Sequence, residues 1–270
     1  MTCIGKKLRL GRIFKRDGRS LIVAMDHALT LGPTEGLENA GETIERVIEG
    51  GADAIMTSFG VIKQFHDLMR GRVATILRID SGGSIYHLLD FSKVTKWSLT
   101  YSVEEAVKMG VDGVIVMAFF GAPCESATLE ILGNVAEECE EWGMPLLAET
   151  LPMPGDIVKD AYDVNHVRFA ARVGQEYGAD FIKTNYTGSL ESFRKVTETC
   201  SIPVLIAGGP KMNTARDVLE VVKGAIDAGG KGVVFGRNIW QYENPTAMTR
   251  AIAKIIHDNA TVDEAMKELK

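Results

Sequence analysis

Short apolar runs alternate with longer amphipathic segments along the whole chain. Most of the short runs are continuously apolar, which is typical of parallel strands that are covered on both faces. The pattern predicts eight strands, at residues 21–26, 54–59, 74–80, 113–120, 145–150, 181–185, 203–209 and 232–237.

The amphipathic segments between these runs predict helices. Four of them, at residues 37–51, 127–143, 164–178 and 215–230, end in glycine, which commonly follows the last turn of a helix. A Gly-Ala-Asp or Gly-Val-Asp triplet precedes three of the apolar runs and begins at Gly51, Gly110 and Gly178. The chain therefore repeats one helix–turn–strand unit.

Eight strands, about eight helices and no linker rich in Pro, Gly or Ser predict a single (β/α)8 TIM barrel, an α/β fold of about 250 residues. We predict an N-terminal arm over residues 1–20, the barrel over 21–259 and a C-terminal helical tail over 260–270. A doubly wound sheet is the alternative, but no G-x-G-x-x-G motif follows the first strand.

Composition narrows the function classes. The formal net charge of -6 argues against non-specific binding to nucleic acid or to an acidic membrane surface, and no apolar run is long enough to span a membrane. The basic N-terminal arm predicts a solvated or docking segment. The cysteines are far apart, which favours reduced thiols and a cytoplasmic protein over disulfides or a zinc site. They are Cys3, Cys124, Cys139 and Cys200.

The most informative residue is Lys183, which lies within an otherwise apolar strand in the sequence GADFIKTNYTG. Because side chains alternate along a strand, Phe181, Lys183 and Asn185 share a face. If that face points inward, the amine lies near the C-terminal ends of the strands, where barrels of this type have their active sites. Burial disfavours the ammonium form, and a free amine can form a Schiff base with a carbonyl carbon. The alternatives are a buried ion pair or a lysine that extends outward to solvent.

Carboxylates at the ends of strands are the predicted partners of this lysine. Asp26 ends the first strand and is predicted to act as a general acid or base, or to hold a substrate hydroxyl. His27, which begins the next loop, is a further catalytic candidate, and for both Asp26 and His27 the alternative is a cap on the following segment. Glu149 ends the fifth strand and is predicted to face the site, with an ion pair to Lys183 or Arg78 as the alternative.

Two further groups of residues predict substrate contacts. Asp80 and Ser81 end the third strand. Glycine-containing turns with a basic residue close behind follow the last two strands, where barrels commonly bind phosphate. The phosphate candidates are Gly208, Gly209, Lys211, Gly236 and Arg237.

The histidines do not predict a metal site. No H-x-x-x-H or similar ligand spacing occurs, and three of the five fall on predicted helices. They are His27, His66, His87, His166 and His257, of which the helical ones are His66, His166 and His257.

Five motifs occur in the order VAMDHALTLGPTEGLEN, LRIDSGGSI, DFIKTNYTG, IAGGPKMNT and VFGRNIWQ. Together they resemble the archaeal-type class I, Schiff-base fructose-bisphosphate aldolase family, which includes aminodideoxyheptulosonate synthase and the thiolase that acts on phosphorylated autoinducer-2. The resemblance extends over nearly the whole chain. It implies a (β/α)8 barrel, a Schiff-base lysine at Lys183, an acidic residue at Asp26, phosphate binding at residues 208–209 and 236–237, and a homo-oligomer, commonly a decamer.

The chain departs from the family pattern after the fifth strand. The aldolases and the heptulosonate synthase have a tyrosine proton donor there, in a Tyr-Pro-Arg-Gly context, whereas residues 149–155 read ETLPMPG. The thiolase resembles this chain in lacking the tyrosine, and its LRxSG-type third strand is similar to LRIDSGG at residues 77–83. Glu149 or Asp26 is the candidate for the proton transfer in its place.

These observations predict a metal-independent class I aldolase that cleaves or forms a C–C bond in a phosphorylated ketose such as fructose 1,6-bisphosphate. It needs no cofactor beyond the covalent lysine, and its partner is a small sugar phosphate. One alternative is a transferase of the same family, which moves an acyl or ketol unit. The other is a phosphate-binding barrel in which Lys183 is a structural charge and no covalent step occurs.

Overall fold

The computed structural model describes residues 3–86 and 93–270. Eight parallel strands form a closed barrel in the order β1-β10-β9-β8-β7-β6-β3-β2, which confirms the predicted (β/α)8 fold. The barrel strands are β1 (Ser20–Ala24), β2 (Ala54–Thr57), β3 (Ala74–Arg78), β6 (Gly113–Phe120), β7 (Leu146–Pro152), β8 (Phe181–Thr184), β9 (Val204–Ala207) and β10 (Gly232–Phe235). Two short strands, β4 (Asp80–Ser81) and β5 (Ser98–Leu99), pair antiparallel above the barrel.

Helices surround the barrel, and the amphipathic segments of the sequence form them as expected. Those before the sixth barrel strand are α1 (Ile4–Ile13), α2 (Ala28–Leu31), α3 (Ala40–Glu49), α4 (Phe59–Met69), α5 (Val103–Met109), α6 (Glu125–Trp142) and α7 (Val164–Glu176). Those after it are α8 (Leu190–Thr197), α9 (Ala215–Asp227), α10 (Arg237–Trp240), α11 (Pro245–Asp258) and α12 (Val262–Ala265), with a final 3-10 turn at Met266–Leu269.

Six of the barrel strands end one or two residues before their predicted limits, because the terminal polar residues belong to the following turn or helix. Ser58 shows the reason: it is the N-cap of α4, so β2 ends at Thr57 and not at residue 59 as predicted. β7 departs in the other direction and runs to Pro152, because its final residues pair with the long strand β6 as far as Phe120.

The barrel interior is filled by side chains that follow the predicted alternation. Ile22, Met56, Ile76, Phe181 and Val234 belong to one buried cluster of inward-facing residues. A second, larger cluster lies between the strands and the helices. Both faces of each strand are therefore covered, which explains why the strands read as continuous apolar runs.

The base of the barrel is closed by α1, so the predicted N-terminal arm is in part a docked helix. Ile13 at the end of α1 is fully buried within the interior cluster. The Ser20 hydroxyl donates a hydrogen bond of 2.6 Å to the Ile13 carbonyl and fixes α1 beneath β1.

The three repeated Gly-x-Asp triplets place their carboxylates at this base, each just before a strand. Each carboxylate accepts a backbone N–H from the neighbouring strand, at 2.6 Å from Leu21, 3.0 Å from Thr75 and 2.8 Å from Leu146. Basic residues of the N-terminal segment pair with the same carboxylates. The pairs are Lys15–Asp53 at 3.2 Å, Arg12–Asp112 at 2.6 Å and Lys6–Asp180 at 3.0 Å.

Lys6 is the most buried of these cations, with only 1% of its surface exposed, and it also pairs with Glu140. We expect Lys6→Met to lower the free energy of unfolding by about 3 kcal/mol, because it leaves the buried carboxylate of Asp180 without a counter-charge. Urea unfolding followed by circular dichroism measures this change. Lys7→Met is the matched control, since Lys7 is exposed on the same helix, and an equal loss in both variants would contradict the role of the ion pair.

Candidate active site

A cavity of about 340 Å³ opens at the C-terminal ends of the barrel strands. Its lining includes Asp26, His27, Arg78, Asp80, Ser81, Glu149, Lys183 and Arg237. Polar residues therefore line the cavity at the C-terminal ends of the strands, as predicted from the sequence.

Lys183 lies on β8, one inward-facing position above the buried Phe181, and only 6% of its surface is exposed. Parallel pairing of β7 with β8 places Glu149 directly beside it. The Lys183 Nζ and Glu149 Oε1 atoms are 2.6 Å apart. The lysine therefore faces the cavity and also forms the buried ion pair that was its structural alternative.

Arg78, on β3, connects this pair to the other acids of the site. Its Nη2 donates a short hydrogen bond to Glu149 Oε2, its Nε donates to Asp26 Oδ2 at 2.9 Å, and its Nη1 donates to Asp80 Oδ1 at 3.2 Å. From the sequence, Arg78 was predicted only as a possible partner of Glu149. Arg78 lies within the apolar run ATILR, just as Lys183 lies within FIKT. The same argument from a charged residue in an apolar strand therefore predicts Arg78 as a site residue.

The ionic contacts control the protonation of two carboxylates. Burial alone would raise the pKa of Asp26, but the charges of Arg78, His27 and Lys183 hold that pKa well below its usual range. Burial would likewise raise the pKa of Glu149, but Lys183 and Arg78 lower it. Both groups are therefore ionised near neutral pH and can accept a proton.

His27 begins the turn after β1. Its Nδ1 atom lies 3.5 Å from Asp26 Oδ1, without hydrogen-bond geometry between them, and has no hydrogen-bond partner in the described part of the chain. Its ring packs edge-on against Trp240, with ring centroids 5.3 Å apart. His27 thus lines the cavity beside Asp26.

Both carboxylate oxygens of Asp80, which was predicted to bind substrate, accept hydrogen bonds from within the protein. Its Oδ2 accepts hydrogen bonds of 2.6 Å from the Trp97 indole N–H and from the Met117 backbone N–H. Burial raises the pKa of Asp80, while Arg78 and these two N–H groups lower it in part. Ser81 lines the cavity, although its hydroxyl accepts a hydrogen bond from the Gly83 backbone N–H.

The predicted phosphate residues separate into two groups. Arg237 lines the cavity, donates from Nη2 to the Gly209 carbonyl at 2.9 Å, and has no partner for Nε among the described residues. Burial lowers the pKa of the Arg237 guanidinium. Lys211 lies elsewhere, because its Nζ donates to the Gln241 carbonyl at 2.8 Å and its side chain lines a different, smaller cavity.

The glycines of these turns allow close approach of the backbone. A Cβ atom on Gly236 would lie 2.9 Å from the Ala24 carbonyl oxygen and 2.7 Å from the His27 ring. A Cβ atom on Gly208 would lie 3.1 Å from the Phe235 ring. Gly209 has a positive φ of 62°, which favours glycine. The turns are therefore compact and leave the backbone beside Arg237 free of side chains.

Apolar residues form the opposite wall of the cavity, and the sequence analysis did not identify them. They are Trp97, Met117, Phe119, Leu151 and Met153. Leu151 lies two residues after Glu149 on β7, so strand alternation alone would have placed it on the same face. No tyrosine is among the described residues that line the cavity.

A larger cavity of about 590 Å³ lies at the base of the barrel, beside α1. Cations line it, but those nearest the barrel are paired, Arg12 with Asp112, Lys15 with Asp53 and Arg72 with Glu45. The cavity at the strand ends is therefore the better candidate for the active site, because its lining brings a buried lysine together with carboxylates whose pKa values are lowered.

The described residues hold no group of three or more His, Cys, Asp or Glu side chains that could bind a metal ion. His66, His166 and His257 lie on helices as predicted, and His257 contacts Asp17 and Asp53, each at 2.8 Å. His87 lies outside the described residues. No helix in residues 3–86 and 93–270 is long and apolar enough to cross a membrane.

Comparison with known proteins places this site in a family. The family described as DeoC/LacD family aldolase matches residues 20–242. An uncharacterized aldolase of Saccharolobus solfataricus is 35% identical over 99% of this chain and 100% of its own length. The 2-amino-3,7-dideoxy-D-threo-hept-6-ulosonate synthase of Halobacterium salinarum is 36% identical over 98% of this chain and 97% of its own length.

Solved structures agree with these matches. An archaeal fructose 1,6-bisphosphate aldolase has a TM-score of 0.84 at 29% identity, over 94% of this chain and 99% of that chain. A second such aldolase, whose catalytic lysine is covalently bound to the carbinolamine intermediate, has a TM-score of 0.83 at 30% identity, over 93% and 99%. The resemblance inferred from the motifs is confirmed, and the chain belongs to the DeoC/LacD family of aldolases.

Proposed function

We propose that this enzyme is a Schiff-base aldolase that cleaves or forms a C–C bond in a phosphorylated ketose. One observation carries the proposal: the buried amine of Lys183 faces the cavity 2.6 Å from a carboxylate that can take its proton. Similar structures support it: one is of a Schiff-base-forming fructose-1,6-bisphosphate aldolase, and another is of an archaeal aldolase whose catalytic lysine is covalently bound to the carbinolamine intermediate.

Glu149 prepares the nucleophile. It accepts a proton from the Lys183 ammonium group, and the free amine attacks the ketone carbon of the substrate. Loss of water from the carbinolamine gives a protonated iminium, which withdraws electrons from the adjacent C–C bond. Arg78 keeps Glu149 oriented and ionised between turnovers through its hydrogen bond to Oε2.

Asp26 acts as the general base for bond cleavage. It takes the proton of the hydroxyl whose C–O becomes the carbonyl of the departing aldehyde, and the electrons of the broken C–C bond form an enamine on Lys183. Formation of the iminium and water uses the proton that left Lys183, so Glu149 is ionised again at this stage. The enamine carbon therefore receives the proton that Asp26 took from the hydroxyl, in place of one from the missing tyrosine. Water then hydrolyses the iminium and releases the second product.

Arg237 and the turns at residues 208–209 and 236–237 are proposed to hold the substrate phosphate. Arg237 Nε has no partner among the described residues and lines the cavity. A bound phosphate would hold the ketone carbon near Lys183, and such positioning can lower a barrier by roughly 7–11 kcal/mol. Lys211 does not line this cavity, so a role for it would require movement of its loop.

A transferase of the same family is the second candidate. It is favoured by the lining of the cavity, where Leu151 follows Glu149 on β7 and no tyrosine that could protonate the enamine is among the described residues. The enamine would then react with a second carbonyl substrate. The relative from Halobacterium salinarum is named as a synthase, which agrees with a bond-forming reaction.

The metal requirement, the location in the cell and the assembly of the enzyme are also proposals. We propose that the enzyme works without a metal ion, that it acts in the cytoplasm with reduced thiols, and that it forms a homo-oligomer. Cys3, Cys124, Cys139 and Cys200 are all free thiols. Exposed aromatic side chains such as Trp142 and Phe169 offer surfaces for contacts between subunits.

Borohydride reduction tests the covalent step. With dihydroxyacetone phosphate or fructose 1,6-bisphosphate present, we expect mass spectrometry to find a triose adduct on the Lys183 peptide. Lys183→Met should abolish the adduct and the activity, while Lys159→Met, on an exposed loop lysine, should retain both. Full activity in Lys183→Met would refute the mechanism, and turnover that requires a second carbonyl substrate would indicate the transferase.

Removal of Glu149 tests its role in proton transfer. We expect Glu149→Gln to lower kcat by about 10²–10⁴-fold, because the amide cannot accept a proton from Lys183 or return it to the hydroxyl of the carbinolamine. Single-turnover kinetics of adduct formation measure the first step separately. An unchanged rate of adduct formation would show that another group deprotonates the lysine.

The pH profile tests Arg78. Arg78 lowers the pKa of Asp26 and Glu149, so in the native enzyme both stay ionised as the pH falls below neutrality. Without Arg78 the two pKa values rise and protonation begins at higher pH. We expect Arg78→Gln to move the acidic limb of kcat/KM upward by about 1–3 pH units.

Arg237→Gln is the matched control for this experiment. It removes a cation that lines the cavity but donates to the Gly209 carbonyl and not to a carboxylate, so it should raise KM for a phosphorylated substrate without moving the acidic limb. An equal upward movement of the limb in both variants would contradict the specific effect of Arg78.

A further inference from the structure

The segment that connects β7 to α7, at residues 153–163, passes over the end of β8 and reaches the turn after β9. In the ring of strands, β8 lies between β7 and β9. The Asn185 side chain, just after β8, donates a hydrogen bond of 3.0 Å to the Ala161 carbonyl and holds the segment there. The next residue, Tyr162, brings its hydroxyl to the turn after β9, because a Cβ atom on Gly209 would lie 3.5 Å from that hydroxyl oxygen.

The backbone on both sides of Tyr162 is held by side-chain hydrogen bonds. The Tyr162 N–H donates to Asp160 Oδ1 at 2.8 Å. Asp163 is the N-cap of α7 and accepts hydrogen bonds from the backbone N–H groups of Asn165 and His166. The Tyr162 side chain itself is 47% exposed, and its hydroxyl makes no hydrogen bond within residues 3–86 and 93–270. The chain therefore positions a phenol whose donor is still available.

The turn that faces this phenol has its carbonyl groups occupied. Asn238 Nδ2 donates to the Gly208 carbonyl at 2.7 Å, and Arg237 Nη2 donates to the Gly209 carbonyl at 2.9 Å. The Nε atom of Arg237 has no partner in the described part of the chain. Arg237 and Tyr162 are also close enough to interact electrostatically. An anionic oxygen at this turn would therefore meet two donors, the guanidinium and the phenol.

We propose that the Tyr162 hydroxyl donates a hydrogen bond to the phosphate that Arg237 holds. This inference rests on the proposed function, and it adds a binding residue from the segment after β7 to a phosphate site formed by the turns after β9 and β10. A phosphate offers more acceptor oxygens than one guanidinium can satisfy, and hydrogen bonds to its charged oxygens are stronger than those between neutral groups. Tyr162 lies at the edge of the cavity and not in its lining, so it binds the phosphate from the solvent side.

The hydrogen bond from Asn185 connects this contact to the nucleophile. Asn185 is two residues after Lys183, and Lys183 lies on β8. The segment that carries Tyr162 is thus fixed to the strand that carries the reactive amine. A phosphate bound by Tyr162 and Arg237 is held at a defined position relative to Lys183.

Borohydride trapping with two ketones that differ only in the phosphate tests the proposal. Dihydroxyacetone phosphate and dihydroxyacetone both present a ketone to Lys183, and only the first carries a phosphate. We expect Tyr162→Phe to raise the concentration of dihydroxyacetone phosphate that gives half-maximal adduct by at least about tenfold, which is typical of one lost hydrogen bond to a charged group. The corresponding concentration of dihydroxyacetone should not change, because the ring remains and only the hydroxyl is removed.

Tyr177→Phe is the matched control. Tyr177 follows the other end of α7 and is 40% exposed, so it resembles Tyr162 in exposure. The 13 residues of α7 separate the two tyrosines by about 20 Å. Both half-maximal concentrations should be the same in Tyr177→Phe as in the native enzyme.

The outcomes separate this inference from the proposed function. An unchanged response of Tyr162→Phe to dihydroxyacetone phosphate would overturn the inference and leave the Schiff-base function intact. An equal loss with both ketones would also overturn it, because the hydroxyl would then act on the site as a whole and not on the phosphate. Absence of any adduct on Lys183 of the native enzyme would overturn both.

Discussion

The guanidinium of Arg78 is the contact on which the site depends. It lies between Asp26, Asp80 and Glu149, and each of these carboxylates comes from a different part of the barrel mouth. Three buried carboxylates without a counter-charge would repel one another and take up protons. With Arg78 among them, two remain ionised, and the third anchors Trp97 and the backbone of β6. The position of the reactive lysine follows, because Glu149 is fixed from one side by Arg78 and contacts Lys183 from the other.

Local sequence patterns were sufficient for the barrel and for much of the site. Continuous apolar runs, glycine-terminated helices and the repeated Gly-x-Asp triplets predicted the strands and their order, because these features depend on neighbours a few residues apart. Lys183 and Glu149 could be found in the same way, since each is an ionised residue at the end of an apolar strand. Their adjacency required the register of β7 against β8, which no local pattern specifies.

The features that sequence reasoning missed all depend on distant contacts. Arg78 is 52 positions from Asp26 and 71 from Glu149 along the chain, so its role as their common partner is visible only in the folded barrel. The apolar side of the cavity combines Met117 and Phe119 of β6 with Leu151 and Met153 at the end of β7. Trp97, from the segment between β4 and β5, completes it. Lys211 shows the opposite case. It lies close to a glycine turn in the sequence, but in the fold its Nζ donates to the Gln241 carbonyl and its side chain lines a different cavity.

The helix that closes the base has a consequence for how the chain is assembled. It precedes the barrel in the sequence, yet its partners lie far downstream: Arg12 pairs with a residue 100 positions later and Lys6 with one 134 positions later. During synthesis this amphipathic segment emerges before these partners, and it cannot form both pairs until more than half of the barrel strands exist. Its docking is therefore a late, long-range step of the kind that slows folding. Until α1 docks, Asp112 and Asp180 lack these counter-charges, so docking of this helix completes the charge balance at the base of the barrel.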